Sequence, residues 1–176
     1  MSGSENKILI INIDGDLNVD FDHGENAKSD IQIVNIYKSH KTKVVCNSNL
    51  KNGSSSDIYM LSLLIDGSDI EVDGNIFMAP GAVWSGGHLL EENLILSPNV
   101  RIYAKPVLDV QNSQVSASHG ARISKIDNKN LFYMMSRGLS REQATDIIID
   151  WYINKILDKM DISDDQKIEL KNIILW

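Results

Sequence analysis

The chain is short of cysteine, proline and positive charge, and each shortage closes off a class of protein. Its one cysteine, Cys46, excludes an internal disulfide, a paired-cysteine metal knuckle and a four-thiolate cage for an iron–sulfur cluster within one chain. A lone thiol suits a reducing cytoplasm, which is the expected location. Three prolines and eleven glycines among 176 residues are too few for a disordered chain. Lys plus Arg is 17 against 24 Asp plus Glu, a net charge of −7. Nucleic acid is therefore not an expected partner, because binding it needs a basic face that displaces counterions. No run approaches the ~18 apolar residues of a membrane span, and Met1 to Lys7 is too polar for a secretory signal, so no membrane partner is expected. The glycine spacings that cradle phosphates are absent, so no nucleotide is expected on this chain. Serine-nucleophile elbows and His-Glu-x-x-His zinc sites are absent too.

What the sequence does contain falls into two parts. Up to about residue 126, β-branched runs recur at close spacing with no helical period between them. Lys7 to Ile13, Asp30 to Tyr37, Val44-Val45 and Ile58 to Ile65 read as strands. Asp66-Gly67-Ser68 reads as a turn, and Glu71-Val72-Asp73-Gly74 as another before Ile76 and Phe77. Later the alternation sharpens: Val100 and Ile102, Leu108 and Val110, Val115 and Ala117, Ala121 and Ile123. A sandwich, a barrel and a solenoid all fit, and no strict repeat chooses among them.

From Asp127 the period becomes helical. The pattern predicts a short helix over 128–137, a long one from Arg141 to about Lys159, and a last one from Asp164. Gly138 suits the left-handed position after a helix. Ser140 to Gln143 and Ser163 to Gln166 each match a capping box. Ala144, Ile148, Trp151 or Tyr152, and Ile156 form an apolar stripe, as do Leu170, Ile173, Ile174 and Trp176. Leu131, Phe132, Tyr133, Met134 and Met135 are too wide a cluster for one helix face. Burial in the protein is the first expectation for them and a partner surface the second.

Few side chains suggest chemistry. Asp14, Asp16, Asn18, Asp20, Asp22 and Glu25 follow the ligand spacing of a calcium loop, but Val19 stands where that loop needs glycine. Alternating carboxylates also describe the wet face of a strand, the preferred reading. A β-helix enzyme acting on carbohydrate with such carboxylates is a rival, disfavoured by the 6% aromatic content. Gly81, Gly86 and Gly87 around Trp84 and His88 read as a surface loop. His23 and His40 are expected to be solvated and Cys46 to be a small buried hydrophobe. Ser118-His119-Gly120 interrupts the strand pattern and makes His119 the histidine of most interest.

Several stretches together resemble one family. They are Asn93 to Ser97, Lys105 to Val110, Ala117 to Ala121, and Ile126-Asp127-Asn128-Lys129-Asn130-Leu131-Phe132-Tyr133-Met134-Met135-Ser136-Arg137-Gly138. This is similar to the C-terminal part of the SufB/SufD scaffolds of iron–sulfur cluster assembly, over about 91–153 and more weakly over 58–87. The resemblance implies a right-handed parallel β-helix core over 1–126 and a C-terminal helical ATPase-docking segment over 127–176. It implies a short, minimal, SufD-like member without the family's N-terminal helical region, acting as a scaffold rather than an enzyme. The implied partners are an ABC-type ATPase of the SufC kind, which hydrolyses the ATP, and a second scaffold subunit, either another copy or a SufB-like chain. Leu131, Phe132, Tyr133, Arg137, Gly138 and the helix after Ser140 would dock the ATPase. His119 matches the functional histidine of the SufD type. The glutamate that follows this histidine in the SufB type is Gly120 here, and the SufB cysteine position falls on Glu91. His119 and Glu91 are thus the implied ligands for iron or a transient iron–sulfur cluster at the subunit interface. The alternative is a structural subunit of the same complex that binds no metal.

Overall fold

The computed structural model describes residues 5–37, 41–65 and 67–175. Ten strands come first: β1 (Glu5–Ile13), β2 (Leu17–Asp22), β3 (Lys28–Tyr37), β4 (Lys41–Leu50), β5 (Ser55–Leu64), β6 (Asp69–Met78), β7 (Gly86–Ile95), β8 (Arg101–Ala104), β9 (Val107–Val110) and β10 (Ser116–Lys125). Three helices follow: α1 (Asn128–Ser136), α2 (Arg141–Leu157) and α3 (Asp164–Leu175). The strands form two sheets, one in the order β1-β3-β5-β7-β10 and the other β2-β4-β6-β8, with β9 also on β6. The pairings are parallel, and each coil of chain gives a strand to each sheet. This is a parallel β-helix of about 4 turns. It selects the solenoid from the three β architectures.

Stacked coils set like on like, and the inner ladders are the core. Ile8, Ile31, Ile58 and Leu89 stand in register, and so do Leu17, Val44 and Val72 of the other sheet. Each fully buried side chain of this kind contributes about 1.5–3 kcal/mol. A repeat of this sort hides from the eye because the coils differ in length: neighbouring partners lie 27, 28, 30 and 32 residues apart.

Three expectations fail. Asp73-Gly74 is not a turn; it lies inside β6. Gly86 and Gly87 are not a loop; they open β7. Ser118-His119-Gly120 does not interrupt a strand; it lies within β10. At Gly74 and Gly87 the missing side chain makes room for the facing sheet. A Cβ on Gly74 would lie 2.6 Å from Leu89 Cδ2 and 2.8 Å from Glu91 Oε1, and one on Gly87 2.7 Å from Met78 Cε.

One compact unit runs to Ser124 and a second begins at Lys125. In the second, Ser140 caps α2 with a complete capping box, and Ser163 and Gln166 exchange the same two bonds ahead of α3. Gly138 takes φ 96° after α1. The buried positions of α2 are Ala144, Ile153, Ile156 and Leu157, while Trp151 is exposed, so the stripe runs through Tyr152–Ile153 instead. No helix among the described residues is long and apolar enough to cross a membrane. His40, Asp66 and Trp176 lie outside the described residues.

Candidate functional site

Glu91 is the least expected side chain in the core. It continues the inner ladder Ile10, Ile33, Met60 on β7 and is fully buried. Its Oε1 accepts the Gly74 N–H at 2.9 Å. That donor is free for a reason written in the sequence. The Val72 carbonyl accepts from Lys105 N–H, so Gly74, two residues on, turns its N–H to the same edge of β6. There the Lys105-Pro106 break between β8 and β9 supplies no strand partner. Glu91 Oε2 is buried without a partner. Burial pushes this carboxyl up to about 7; the Gly74 N–H works against the rise and the Asp73 charge adds to it.

Cys46 stands beside Gly74 in the register of β4 with β6 and is fully buried. Burial pushes its thiol up to about 12, with Asp20 and Glu91 adding to the effect. It is a core side chain, and a poor thiolate ligand or nucleophile.

His119 sits in a contrasting place. β10 ends its sheet, and among the described residues no strand covers its far edge. His88 on β7 reaches Ser118 on β10, and Glu92 reaches Arg122, so these positions share the outer face. Alternation then puts Glu91 and His119 on the inner face of adjacent strands. They differ in access: Glu91 is sealed, while His119 is exposed together with Ala117, Ala121 and Ile123. Among the described residues no three His, Cys, Asp or Glu side chains gather as a metal site.

The aromatic cluster of α1 divides sharply. Leu131 is buried, Phe132 is 75% exposed, and Tyr133 and Met135 are exposed as well. The expectation of burial fails for these three. Arg137 lies over the Tyr133 ring at 5.2 Å and bonds its hydroxyl, which stiffens an exposed aromatic–cation pair. Gly138 then turns the chain into α2, where Ile147 and Trp151, one helical turn apart, are also exposed. Sequence reading left the stripe open between Trp151 and Tyr152; the structure exposes Trp151, and Ile147 was not singled out.

The remaining candidates have structural roles. Asp16, Asp20 and Asp22 lie on the outer side at β2 and bond forward to the next coil: Asp16 takes the Lys43 N–H, Asp20 the Asn47 amide and Asp22 the Asn49 amide. Asn47 in turn accepts from Asn75. This is a polar ladder on a wet sheet face. His23 is buried rather than solvated, its Nε2 2.6 Å from Ser29 Oγ. Trp84 is exposed in the turn before β7 and has φ 58°.

The described residues thus form a parallel β-helix whose last strand is exposed, and helices that carry exposed aromatic side chains. Residues 14–151 match the family model for the SUF system of FeS cluster assembly, SufBD core domain, and the chain belongs to that family. It is 35% identical over 113 residues to an iron–sulfur cluster assembly SufBD family protein of Pyrococcus horikoshii, covering 64% of this chain and 24% of that one. It is 34% identical over 90 residues to a SufBD family protein of Synechocystis, covering 51% and 20%. It is 32% identical over 77 residues to the iron–sulfur cluster assembly protein SufD of Escherichia coli, covering 44% and 18%. Each match thus spans a quarter or less of the relative's length.

Proposed function

We propose that the chain is a scaffold of iron–sulfur cluster assembly in a reducing cytoplasm. It pairs with a second scaffold subunit through the end of its β-helix and docks an ABC-type ATPase through its helices. The observation that carries this reading is the state of β10: a ten-residue strand with an open edge and an exposed inner face bearing Ile123 and His119. An open edge with free backbone donors and acceptors is a template for another strand. A two-fold pairing would double every group the strand carries, so two His119 imidazoles would meet near the axis. Phe132, Tyr133 and Arg137 on α1, with Ile147 and Trp151 on α2, offer the aromatic and cationic anchors that dominate protein interfaces.

Iron and nascent cluster are cargo in this reading. His119 is the accessible ligand, and Glu91, whose Oε2 has no partner, follows only if its burial is opened. A second reading, a structural subunit that holds no metal, draws on the sealing of Glu91 and Cys46. Iron and acid-labile sulfide per chain, measured after anaerobic co-expression with the cognate ATPase, separate the two. Metal lost on His119→Ala is the expected result. A stable ATPase complex with no iron in the wild type sinks the cargo role and leaves the structural one. Phe132→Ala with Trp151→Ala should abolish ATPase co-purification; full recovery of the ATPase would remove the docking surface from the proposal.

A further inference from the structure

On the outer face of the first sheet, four polar side chains stand on successive strands. Asp30 of β3 is in register with Asp57 of β5, and Asp57 with His88 of β7. His88 Nδ1 lies 2.7 Å from Ser118 Oγ of β10. Asp57 and His88 are both exposed. Asp30 is already engaged by the Gln32 amide. The Asp57 side chain makes no hydrogen bond or ion pair among the described residues, and it faces a like charge directly across the strand pair, an arrangement that disfavours itself.

We propose that Asp57 and His88 form a surface site for a divalent transition-metal ion of the Zn²⁺ and Fe²⁺ class. The chemistry follows from which ring nitrogen is occupied. In the tautomer whose Nδ1–H donates to Ser118 Oγ, the imidazole keeps the Nε2 lone pair for a metal, and the serine holds the ring's orientation. Parallel in-register strands bring the neighbouring carboxylate alongside, and a cation there offsets the Asp30–Asp57 repulsion. Imidazole with carboxylate selects transition metals over Ca²⁺ and Mg²⁺, which prefer all-oxygen shells. Two side chains leave the other positions to water, so the site is open to exchange. It is separate from His119 and Glu91, which alternation places on the opposite face, and it stands whether or not the proposed scaffold role holds.

The test is calorimetric titration of the metal-stripped full chain with Zn²⁺. One ion per chain is expected. Ser118→Ala should weaken binding by about tenfold, the usual size of a lost orienting bond. Asp57→Asn and His88→Gln should each weaken it by more than that. Asp22→Asn, on the other sheet, should leave it unchanged. All four side chains are exposed, and a matching circular dichroism melt shows that each variant is folded. Unaltered Zn²⁺ affinity in His88→Gln overturns the site, and so does binding that vanishes in Asp22→Asn.

Discussion

β5 and β10 are strands of equal length in one sheet, yet they live in different environments. In β5 every position from Ile58 to Leu64 is buried, on both faces of the sheet. In β10 eight of ten positions are exposed and the other two half-buried. β5 has β3 on one side and β7 on the other, while among the described residues β10 has only β7. The contrast teaches that in a solenoid burial belongs to the stack, and a strand's own side chains decide only whether it can join. It also explains why Ile58 to Ile65 reads as a continuous apolar run: a strand covered on both faces has no reason to alternate.

The largest expected effect tests this contrast directly. Ile33→Ala, in the closed inner ladder, should cost about 4 kcal/mol in urea unfolding, whereas Ile123→Ala on the bare strand should change stability by less than about 0.5 kcal/mol. Comparable losses at the two positions would mean that the inner face of β10 is covered in solution, as a partner copy would cover it.

Glu91 sharpens the comparison through pH. Its carboxyl, ordinarily near 4.5, is raised to about 7 in the folded chain, so the native state holds a proton that the unfolded chain gives up. Between those values stability falls as pH rises, and above about 7 the full cost is present. Glu91→Gln keeps an acceptor for the Gly74 N–H and removes the charge. It should therefore stabilise the protein by about 3 kcal/mol at pH 8 and by little at pH 4. A gain that is the same at both pH values would show that the carboxyl is not the cause.

Smaller effects follow at the glycines and the caps. Gly74→Ala should cost about 2 kcal/mol, because the new methyl meets Leu89 and Glu91. Gly120→Ala, whose Cβ meets only Leu90 Cδ1 at 3.7 Å, should be close to neutral in the same chemical denaturation. Ser140→Ala removes one side of the α2 capping box and should lower stability by about 1 kcal/mol, read from the helical circular dichroism signal.

Much of the architecture is legible in the sequence. β-branched runs without helical periods announce stacked strands, and the caps at Ser140 and Ser163 announce α2 and α3, because these are local signals with local causes. The site was legible only by resemblance. Nothing in the spacing of Glu91 or His119 says that one side chain is sealed and the other bare. Asp73-Gly74 resembles a turn when read alone; only the coil that brings Leu89 and Glu91 against it explains the glycine. Asp57, His88 and Ser118 are about thirty residues apart from one to the next, beyond the reach of any local pattern.

The sequence by itself determined the two-part character of the chain, the strand and helix segments, the absence of a thiolate cage and the family to which it belongs. Tertiary structure alone decided which face of each strand is inside, which glycines are needed for space, and which histidine is buried. The reason is physical: propensity and capping act within a few residues, whereas burial is conferred by neighbours one coil away, and coils of unequal length leave no period from which to read them.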